Sequence, residues 1–216
     1  MKWVYCISGL GADERIFQHL QIRGFALKHL RWIQPLSGES MKEYAYRMCA
    51  QLPEGPVILL GVSFGGMMAL EMAKHKPTRR VILISSVKSS REMPPWMRIS
   101  GRLRLNRLAP ARPWKWLAGI ENVFLGAKTP EEKKLAGEFR SQVDREYLAW
   151  ALQQVLTWQN SWQPPGLIHL HGSGDHTFPI RNIRPTHTIA GGGHFMVMNR
   201  AGEISRILEE LLNKSD

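Results

Sequence analysis

The chain has 216 residues and a formal net charge of +11 at pH 7, a length that suits one domain whose core needs neither a disulfide nor a metal. Its two cysteines, Cys6 and Cys49, have neither metal-ligand spacing nor the density of a secreted scaffold, so we expect core thiols in a reducing compartment. The apolar run near the start breaks at Gly9 without a cleavage site, and no run approaches the ~20 residues of a membrane span. These features predict a soluble, cytoplasmic protein.

Six apolar runs predict parallel strands, at residues 3–8, 25–33, 57–62, 80–85, 167–171 and 186–190. Helical segments alternate with these runs. Asp13 is predicted to cap one helix, Ser40 and Glu43 to form the capping box of a second, and residues 67–73 to form a third. A last helix is expected from about residue 195 to residue 212. This alternation is typical of a doubly wound α/β sheet of about six mostly parallel strands.

The predicted strands stop between residues 87 and 162, where helices interrupted by prolines are expected instead. Thr129 and Pro130 mark the start of one helix, and Val143, Tyr147 and Ala151 fall on one face of a later one. This segment contains six tryptophans, Trp96, Trp114, Trp116, Trp150, Trp158 and Trp162. An insertion rich in tryptophan is typical of a cap over a binding site. We therefore predict an α/β core at residues 1–86 and 163–216, with a helical cap at residues 87–162.

Residues 56–66, with the sequence PVILLGVSFGG, contain the most informative motif of the chain. The apolar run is typical of a buried strand and the residues after it of a helix, so Ser63 is predicted at a strand-to-helix turn. Gly61 and Gly65 stand two residues away on either side, where so sharp a turn leaves no room for side chains. A Gly-x-Ser-x-Gly motif in this context predicts a nucleophilic serine. No lysine stands near Ser63, which excludes a phosphate-binding loop.

Two later segments contain the groups that would activate this serine. Asp175 lies in the loop after the predicted strand 167–171, and His194 follows the last predicted strand in the run GGGHF. A serine hydroxyl becomes a strong nucleophile when a histidine takes its proton and a carboxylate orients that histidine. We therefore predict a catalytic triad of Ser63, His194 and Asp175.

At these positions the chain resembles the α/β-hydrolase family. The order Ser63, Asp175, His194 is the order of that fold, and the segment HGSGDHTFP around Asp175 matches the family's acid loop. The resemblance covers essentially the whole chain. It implies that the chain starts at the family's third strand, so that the sheet lacks the first two.

The resemblance also implies an oxyanion hole and an activity. In similar enzymes the loop after the first strand and the residue after the nucleophile donate backbone N–H groups, which here belong to Leu10 and Phe64. Ser8 stands where the family usually has a histidine. The implied activity is cleavage of a carboxylic ester or thioester through an acyl-enzyme, with no cofactor and no metal. Relatives that open epoxides or remove halide use an aspartate nucleophile, and Ser63 argues against both reactions.

Other functions stay open from the sequence. Family members with the same triad also cleave carbon–carbon bonds or transfer acyl groups, and a ligand-binding protein with a silent triad would keep the same fold. His169, His171 and His176 lie near Asp175, but no second acidic cluster joins them, which favours structural roles over a metal site.

Eight basic residues and one acidic residue lie between positions 87 and 118. The basic residues are Lys88, Arg91, Arg98, Arg102, Arg104, Arg107, Arg112 and Lys115. No nucleic-acid recognition motif accompanies them, so nucleic acid is not an expected partner. We expect either a solvated face or an anionic substrate, such as a coenzyme A thioester, a phosphate-bearing ester or an acyl group on an acidic carrier protein. Trp96, Ile99 and Leu103, at helical spacing, are predicted to anchor this stretch.

Overall fold

Six parallel strands form one open sheet in the computed structural model, which describes residues 2–103, 127 and 129–213. The strands are β1 (Lys2–Ile7), β2 (Phe25–His29), β3 (Val57–Val62), β4 (Thr78–Ile84), β5 (Ile168–Gly172) and β6 (His187–Ile189). Their order across the sheet is β2-β1-β3-β4-β5-β6, and each neighbouring pair is parallel. The predicted α/β class with about six strands is confirmed.

The strand order reverses direction between β1 and β3. From β1 the chain moves to the β2 edge and then returns past β1 to β3, so the carboxyl ends of β1 and β3 lie side by side. Ligands of open α/β sheets bind at such a switch point. The loop after β1 and the turn after β3 are therefore positioned to form one site.

Helices cover the sheet on both faces. The α-helices are α1 (Met41–Met48), α2 (Phe64–Ala73), α3 (Pro95–Arg102), α4 (Pro130–Gln142), α5 (Arg145–Thr157), α6 (Met196–Asn199) and α7 (Ala201–Asn213). Capping boxes join Ser40 to Glu43 at the start of α1 and Thr129 to Glu132 at the start of α4. Both helix starts agree with the sequence patterns that predicted them.

The six residues of β3 are buried, and they supply two hydrophobic clusters. Leu59 belongs to the cluster with α1 and α2, whereas Leu60 belongs to the cluster with α6 and α7. Cys6 is buried in β1 and Cys49 is half-buried, and both are free thiols. No helix in the described part of the chain combines the length and hydropathy that a membrane crossing requires.

Several element boundaries differ from the predicted ones. β2 ends at His29, which pairs with Cys6 of β1, and does not extend to residue 33. Asp13 caps only a short 3₁₀-helix, Glu14–Phe17, instead of a longer α-helix. The last helix is divided into α6 and α7 at Arg200, whose guanidinium donates to the Ala190 carbonyl.

The segment between β4 and β5 is helical wherever it is described. α3 can pack closely on α5 because residue 101 is glycine. A Cβ at this position would collide with the Leu156 carbonyl. Val143 was wrongly predicted within the later helix: it ends α4, and Asp144 caps α5.

The predicted anchoring of α3 is also wrong. Trp96, Ile99 and Leu103 are exposed, whereas Met97 is buried against α5 and the core. The predicted cap residues Trp114 and Trp116 and the basic residues Arg104, Arg107, Arg112 and Lys115 lie outside the described residues. The division into a core and a cap at residues 87–162 stays a prediction.

Candidate active site

Ser63 stands on a strained turn between β3 and α2. Its backbone has φ 55° and ψ −119°, a conformation that costs a side-chain-bearing residue about 1–3 kcal/mol. A Cβ on Gly61 would overlap the Gly65 backbone, and a Cβ on Gly65 would overlap the carbonyls of Ile7 and Ser8. The motif therefore has glycine at both positions because neighbouring backbone fills the space a side chain would need.

Ser86 supports this turn and was not anticipated from the sequence. The Ser63 N–H donates to the Ile84 carbonyl at 3.0 Å, and the Ser63 carbonyl accepts from Ser86 Oγ at 2.6 Å. A Cβ on Gly66 would collide with the Ser86 side chain. The sequence did contain a sign of this role. Two serines, Ser85 and Ser86, come directly after the apolar strand β4, at the sheet edge where functional loops begin.

The structure brings Ser63, His194 and Asp175 together. His194 Nε2 lies 2.9 Å from Ser63 Oγ, and His194 Nδ1 lies 2.8 Å from Asp175 Oδ2. With Nδ1–H donating to the carboxylate, Nε2 is left to accept from the serine hydroxyl. His194 and Asp175 are buried, so water is largely kept from the bond between them.

Asp175 is held as an ionised carboxylate. Its Oδ1 accepts the N–H groups of Thr177 and Phe178 at 2.8 and 2.9 Å. Burial works to raise the pKa of Asp175, but His194 with its hydrogen bond, together with His171 and the Phe178 N–H, outweighs burial and holds that pKa below its ordinary value. An ionised carboxylate here fixes the orientation of His194.

Two further buried histidines hold neighbouring backbone: His171 bonds to the loop that contains Asp175, and His169 bonds to the segment after β4. His171 Nε2–H donates to the Phe178 carbonyl at 2.7 Å, and His169 Nε2–H donates to the Ser86 carbonyl at 3.1 Å. Burial lowers the pKa of His171 and lowers that of His169 to about 3, so both rings are neutral at pH 7. His176 is exposed. Within the described ranges, no three metal-binding side chains are grouped as a metal site would need.

The loop after β1 lies against Ser63. A Cβ on Gly9 would stand 3.5 Å from the Ser63 Cβ. Among the described residues, neither the Leu10 N–H nor the Phe64 N–H has a hydrogen-bond acceptor. Ser8 Oγ donates to the Ala12 carbonyl at 2.6 Å and thereby closes the loop on itself.

Trp32 connects the two pieces of this site. Its indole N–H donates to Ser8 Oγ at 3.0 Å, and its ring stacks on Phe64 with 5.2 Å between centroids. The sequence predicted no role for Trp32, because nothing in the pattern around it distinguishes a site residue from a core residue.

A cavity of about 300 Å³ lies next to these residues. It is open to solvent and is lined by the loop after β1, the segment after β2, and the adjoining ends of α4 and α5. Its apolar lining includes Trp32, Ile33, Val143 and Tyr147. The site thus has a serine hydrogen-bonded to a histidine, a carboxylate bonded to the other side of that histidine, and an adjacent cavity.

Comparisons with known proteins agree with this architecture. The model of the alpha/beta hydrolase family matches residues 9–207. A thermophilic esterase from Thermogutta terrifontis superposes with a TM-score of 0.75 at 20% identity, over 100% of this chain and 90% of that chain. An epoxide hydrolase from Bacillus megaterium superposes with a TM-score of 0.67 at 12% identity, over 99% of this chain and 94% of that chain. At these identities the likeness concerns the fold.

A similarity in sequence is found with tyrocidine synthase 3 from Brevibacillus parabrevis. The two are 35% identical over 78 residues, which make up 35% of this chain. The matched stretch spans only 1% of the length of that relative.

Proposed function

Because the chain belongs to the alpha/beta hydrolase family, we propose that it is a serine hydrolase that cleaves a carboxylic ester or thioester through an acyl-enzyme. The proposal is carried by one observation, the continuous hydrogen-bonded path from Ser63 Oγ through His194 to Asp175, at 2.9 and 2.8 Å. A serine, a histidine and a carboxylate in this order perform nucleophilic acyl transfer on several unrelated folds.

In the proposed reaction, Ser63 Oγ attacks the substrate carbonyl carbon while His194 Nε2 takes the hydroxyl proton. The developing oxyanion accepts from the N–H groups of Leu10 and Phe64, each donor contributing about 10²–10³ in rate. The imidazolium then protonates the departing alkoxide or thiolate, which leaves the acyl group on Ser63. A water activated by His194 hydrolyses this acyl-enzyme, and Asp175 stabilises the imidazolium in both steps.

We further propose that the leaving group of the natural substrate is anionic, as in an acyl chain on an acidic carrier or a coenzyme A thioester. The support is a pair of exposed basic side chains in the segment between β4 and β5. Arg91 and Arg98 are exposed and line a second cavity of about 250 Å³ together with Trp158. Lys88 is engaged, since its ammonium donates to the Arg184 carbonyl and lies 3.8 Å from Glu92.

A fluorophosphonate probe tests the proposed function directly. We expect the wild-type protein to be labelled on Ser63 and to hydrolyse acyl esters, and Ser63→Ala to lose both, with kcat lower by roughly 10⁶. His194→Ala should lose nearly as much, because the serine then lacks its base. His176→Ala is the matched control: this histidine is exposed, and both readouts should stay near the wild-type level.

The outcomes separate the alternatives. A folded wild-type protein that resists the probe would refute the nucleophile and favour a ligand-binding protein on a hydrolase fold. Labelling of Ser63 without turnover of any ester in a series of graded acyl length would favour carbon–carbon cleavage or acyl transfer by the same triad.

A further inference from the structure

Ser8 is the first residue after β1, and its buried hydroxyl makes three hydrogen bonds. The hydroxyl donates to the Ala12 carbonyl at 2.6 Å and accepts the indole N–H of Trp32 at 3.0 Å. His29 Nε2 lies 3.3 Å from the same oxygen and donates to it, because the single hydroxyl proton already goes to Ala12. One donated and two accepted hydrogen bonds satisfy a hydroxyl completely. The Ser8 side chain is therefore held in one orientation.

These bonds hold the turn that contains Leu10. The Ala12 N–H donates to the Gly9 carbonyl at 3.1 Å, so Leu10 is a middle residue of that turn. One end of the turn lies against Ser63, since a Cβ on Gly9 would stand 3.5 Å from the Ser63 Cβ. Ser8 holds the other end through the Ala12 carbonyl. The direction of the Leu10 N–H relative to Ser63 therefore depends on the Ser8 hydroxyl.

Trp32, which donates to that hydroxyl, is itself held by two helices. Its ring lies 6.2 Å from that of Tyr44 on α1 and 5.5 Å from that of Tyr147 on α5, between centroids. The same ring stacks on Phe64, at 5.2 Å and with 17° between the ring planes. A ring packed between other rings has few alternative rotamers, so its indole N–H keeps one direction. Trp32 thus contacts both the loop after β1 and the first residue of α2.

We propose that Trp32 is a positioning residue for the oxyanion hole. Its indole N–H holds Ser8, and Ser8 holds the turn that directs the Leu10 N–H toward the developing oxyanion. The inference rests on the proposed function, because the oxyanion forms when Ser63 attacks the substrate. In the described structure the indole N–H of Trp32 donates to Ser8 and not to a residue of the triad. Trp32 therefore acts on stabilisation of the oxyanion and not on proton transfer.

Trp32→Phe tests this role, because it keeps an aromatic ring beside Phe64 but removes the N–H that Ser8 accepts. A catalytic group misplaced by about 1 Å can cost about 10² in rate, so we expect kcat to fall by about tenfold to a hundredfold. KM should stay near its wild-type value. The substrate is 4-nitrophenyl butyrate, and each rate is divided by the number of sites that a fluorophosphonate probe labels at completion. Unfolded protein then does not count as lost rate.

Trp150→Phe is the matched control. This tryptophan also packs on Phe64, with 6.3 Å between centroids, and its indole N–H donates to the Glu39 carbonyl at 2.8 Å. Its hydrogen bond does not involve the loop after β1. The two variants should therefore lose similar stability in urea unfolding, whereas only Trp32→Phe should lose rate per labelled site.

Butylboronic acid supplies a readout that a purely structural role would not change. It adds to Ser63 and places a boron-bound oxygen where the oxyanion forms, so its affinity reports stabilisation of the transition state. Its inhibition constant should rise in Trp32→Phe by the factor by which kcat/KM falls, and should be unchanged in Trp150→Phe. The pH profile of kcat/KM should be the same in wild type and both variants, because proton transfer is unaltered.

Ser8→Ala tests the same contact from the other side. It removes the acceptor of the indole N–H and also the bond to Ala12, so kcat should fall at least as far as in Trp32→Phe. The double variant should lose less than the product of the two single losses, because both substitutions break one bond. Ser8→Ala removes a single oxygen atom, so it keeps the test decisive if Trp32→Phe does not fold.

The outcomes distinguish this inference from the proposed function. Unchanged kcat per labelled site in Ser8→Ala, or equal losses in Trp32→Phe and Trp150→Phe, would overturn the inference while labelling of Ser63 still supports the hydrolase. A higher KM at constant kcat in Trp32→Phe would also overturn it, because Trp32 would then act by binding the substrate. Absence of labelling in folded wild-type protein would remove the proposed function, and the oxyanion hole with it.

Discussion

At the level of single residues, the turn at Ser63 forms only because glycine has no Cβ at a position where neighbouring backbone fills the space. The main chain of β1 passes so close to Gly65 that a methyl group there would overlap the carbonyls of Ile7 and Ser8. Backbone atoms of a central strand move less easily than the end of a flexible side chain. The positive φ of Ser63 and its hydrogen bonds to Ile84 and Ser86 are maintained by this close packing.

Gly65→Ala should therefore damage both stability and the reactivity of the serine. We expect the free energy of unfolding to fall by ~3 kcal/mol, as for a severe overpacking change, and fluorophosphonate labelling to slow strongly. Gly202→Ala is the control, since nothing lies within 4 Å of a Cβ at Gly202 and the residue is in α7. It should raise the unfolding free energy slightly, by up to ~1 kcal/mol. Urea unfolding measures both, and equal stability of Gly65→Ala and wild type would contradict the argument.

At the level of elements, a buried hydrogen bond joins the segment between β4 and β5 to α2, the helix that starts after Ser63. Trp158, directly after α5, is buried and donates its indole N–H to Glu71 Oε1 on α2 at 2.8 Å. Lys74 Nζ also lies 2.7 Å from Glu71 Oε1. The contact places the end of α5 at a fixed position on the core.

Trp158→Phe should weaken the attachment of α5 to α2 and lower the free energy of unfolding. The change removes the indole donor from a buried carboxylate, and hydrogen bonds to charged groups contribute about 1.5–3 kcal/mol. We expect the unfolding free energy to fall by about that amount in urea titrations. Trp96→Phe changes a tryptophan that is 56% exposed and should leave the unfolding free energy within ~0.5 kcal/mol of wild type. Equal losses in the two variants would show that the Trp158–Glu71 bond contributes nothing specific.

The elements that the sequence predicted well are those determined by local patterns. The apolar run of β3 and the Ser40–Glu43 capping box act within a few residues, so both are readable from the sequence. The apolar face of α3 was wrongly predicted to be an anchor, because helical periodicity identifies such a face but does not show whether another element covers it. The helix breaks at Arg200, whose side chain donates to Ala190 on a separate loop, and a contact between distant parts of the chain leaves no local pattern.

At the level of the whole molecule, the topology explains why the site residues could be predicted from widely separated positions. Ser63, Asp175 and His194 each follow a strand, β3, β5 and β6, and parallel strands of one sheet end at the same edge. The cavity with Tyr147 was not predictable in this way. It arises where α5 packs against the segment after β2, and side-chain packing between distant elements leaves no periodic signal in a single sequence.

The distribution of charge over the whole chain bears on the proposed anionic leaving group. The net charge is +11, and Arg91 and Arg98 are exposed beside the second cavity. The described structure pairs neither with a carboxylate, whereas Lys88 is near Glu92. Attraction between exposed charges weakens as the Debye length falls from ~10 Å at 0.1 M salt to ~3 Å at 1 M. Only a charged substrate is sensitive to this change.

We therefore expect kcat/KM for a coenzyme A thioester to fall steeply with salt, while kcat/KM for the S-ethyl thioester of the same acyl group changes little. Arg91→Glu combined with Arg98→Glu should remove the difference. Arg23→Glu combined with Arg206→Glu alters the net charge equally at exposed positions outside the segment between β4 and β5, so this control should retain it. Parallel salt curves for the two thioesters in the wild-type protein would show instead that the basic residues form only a solvated face, because screening would then act on no charge that the reaction uses.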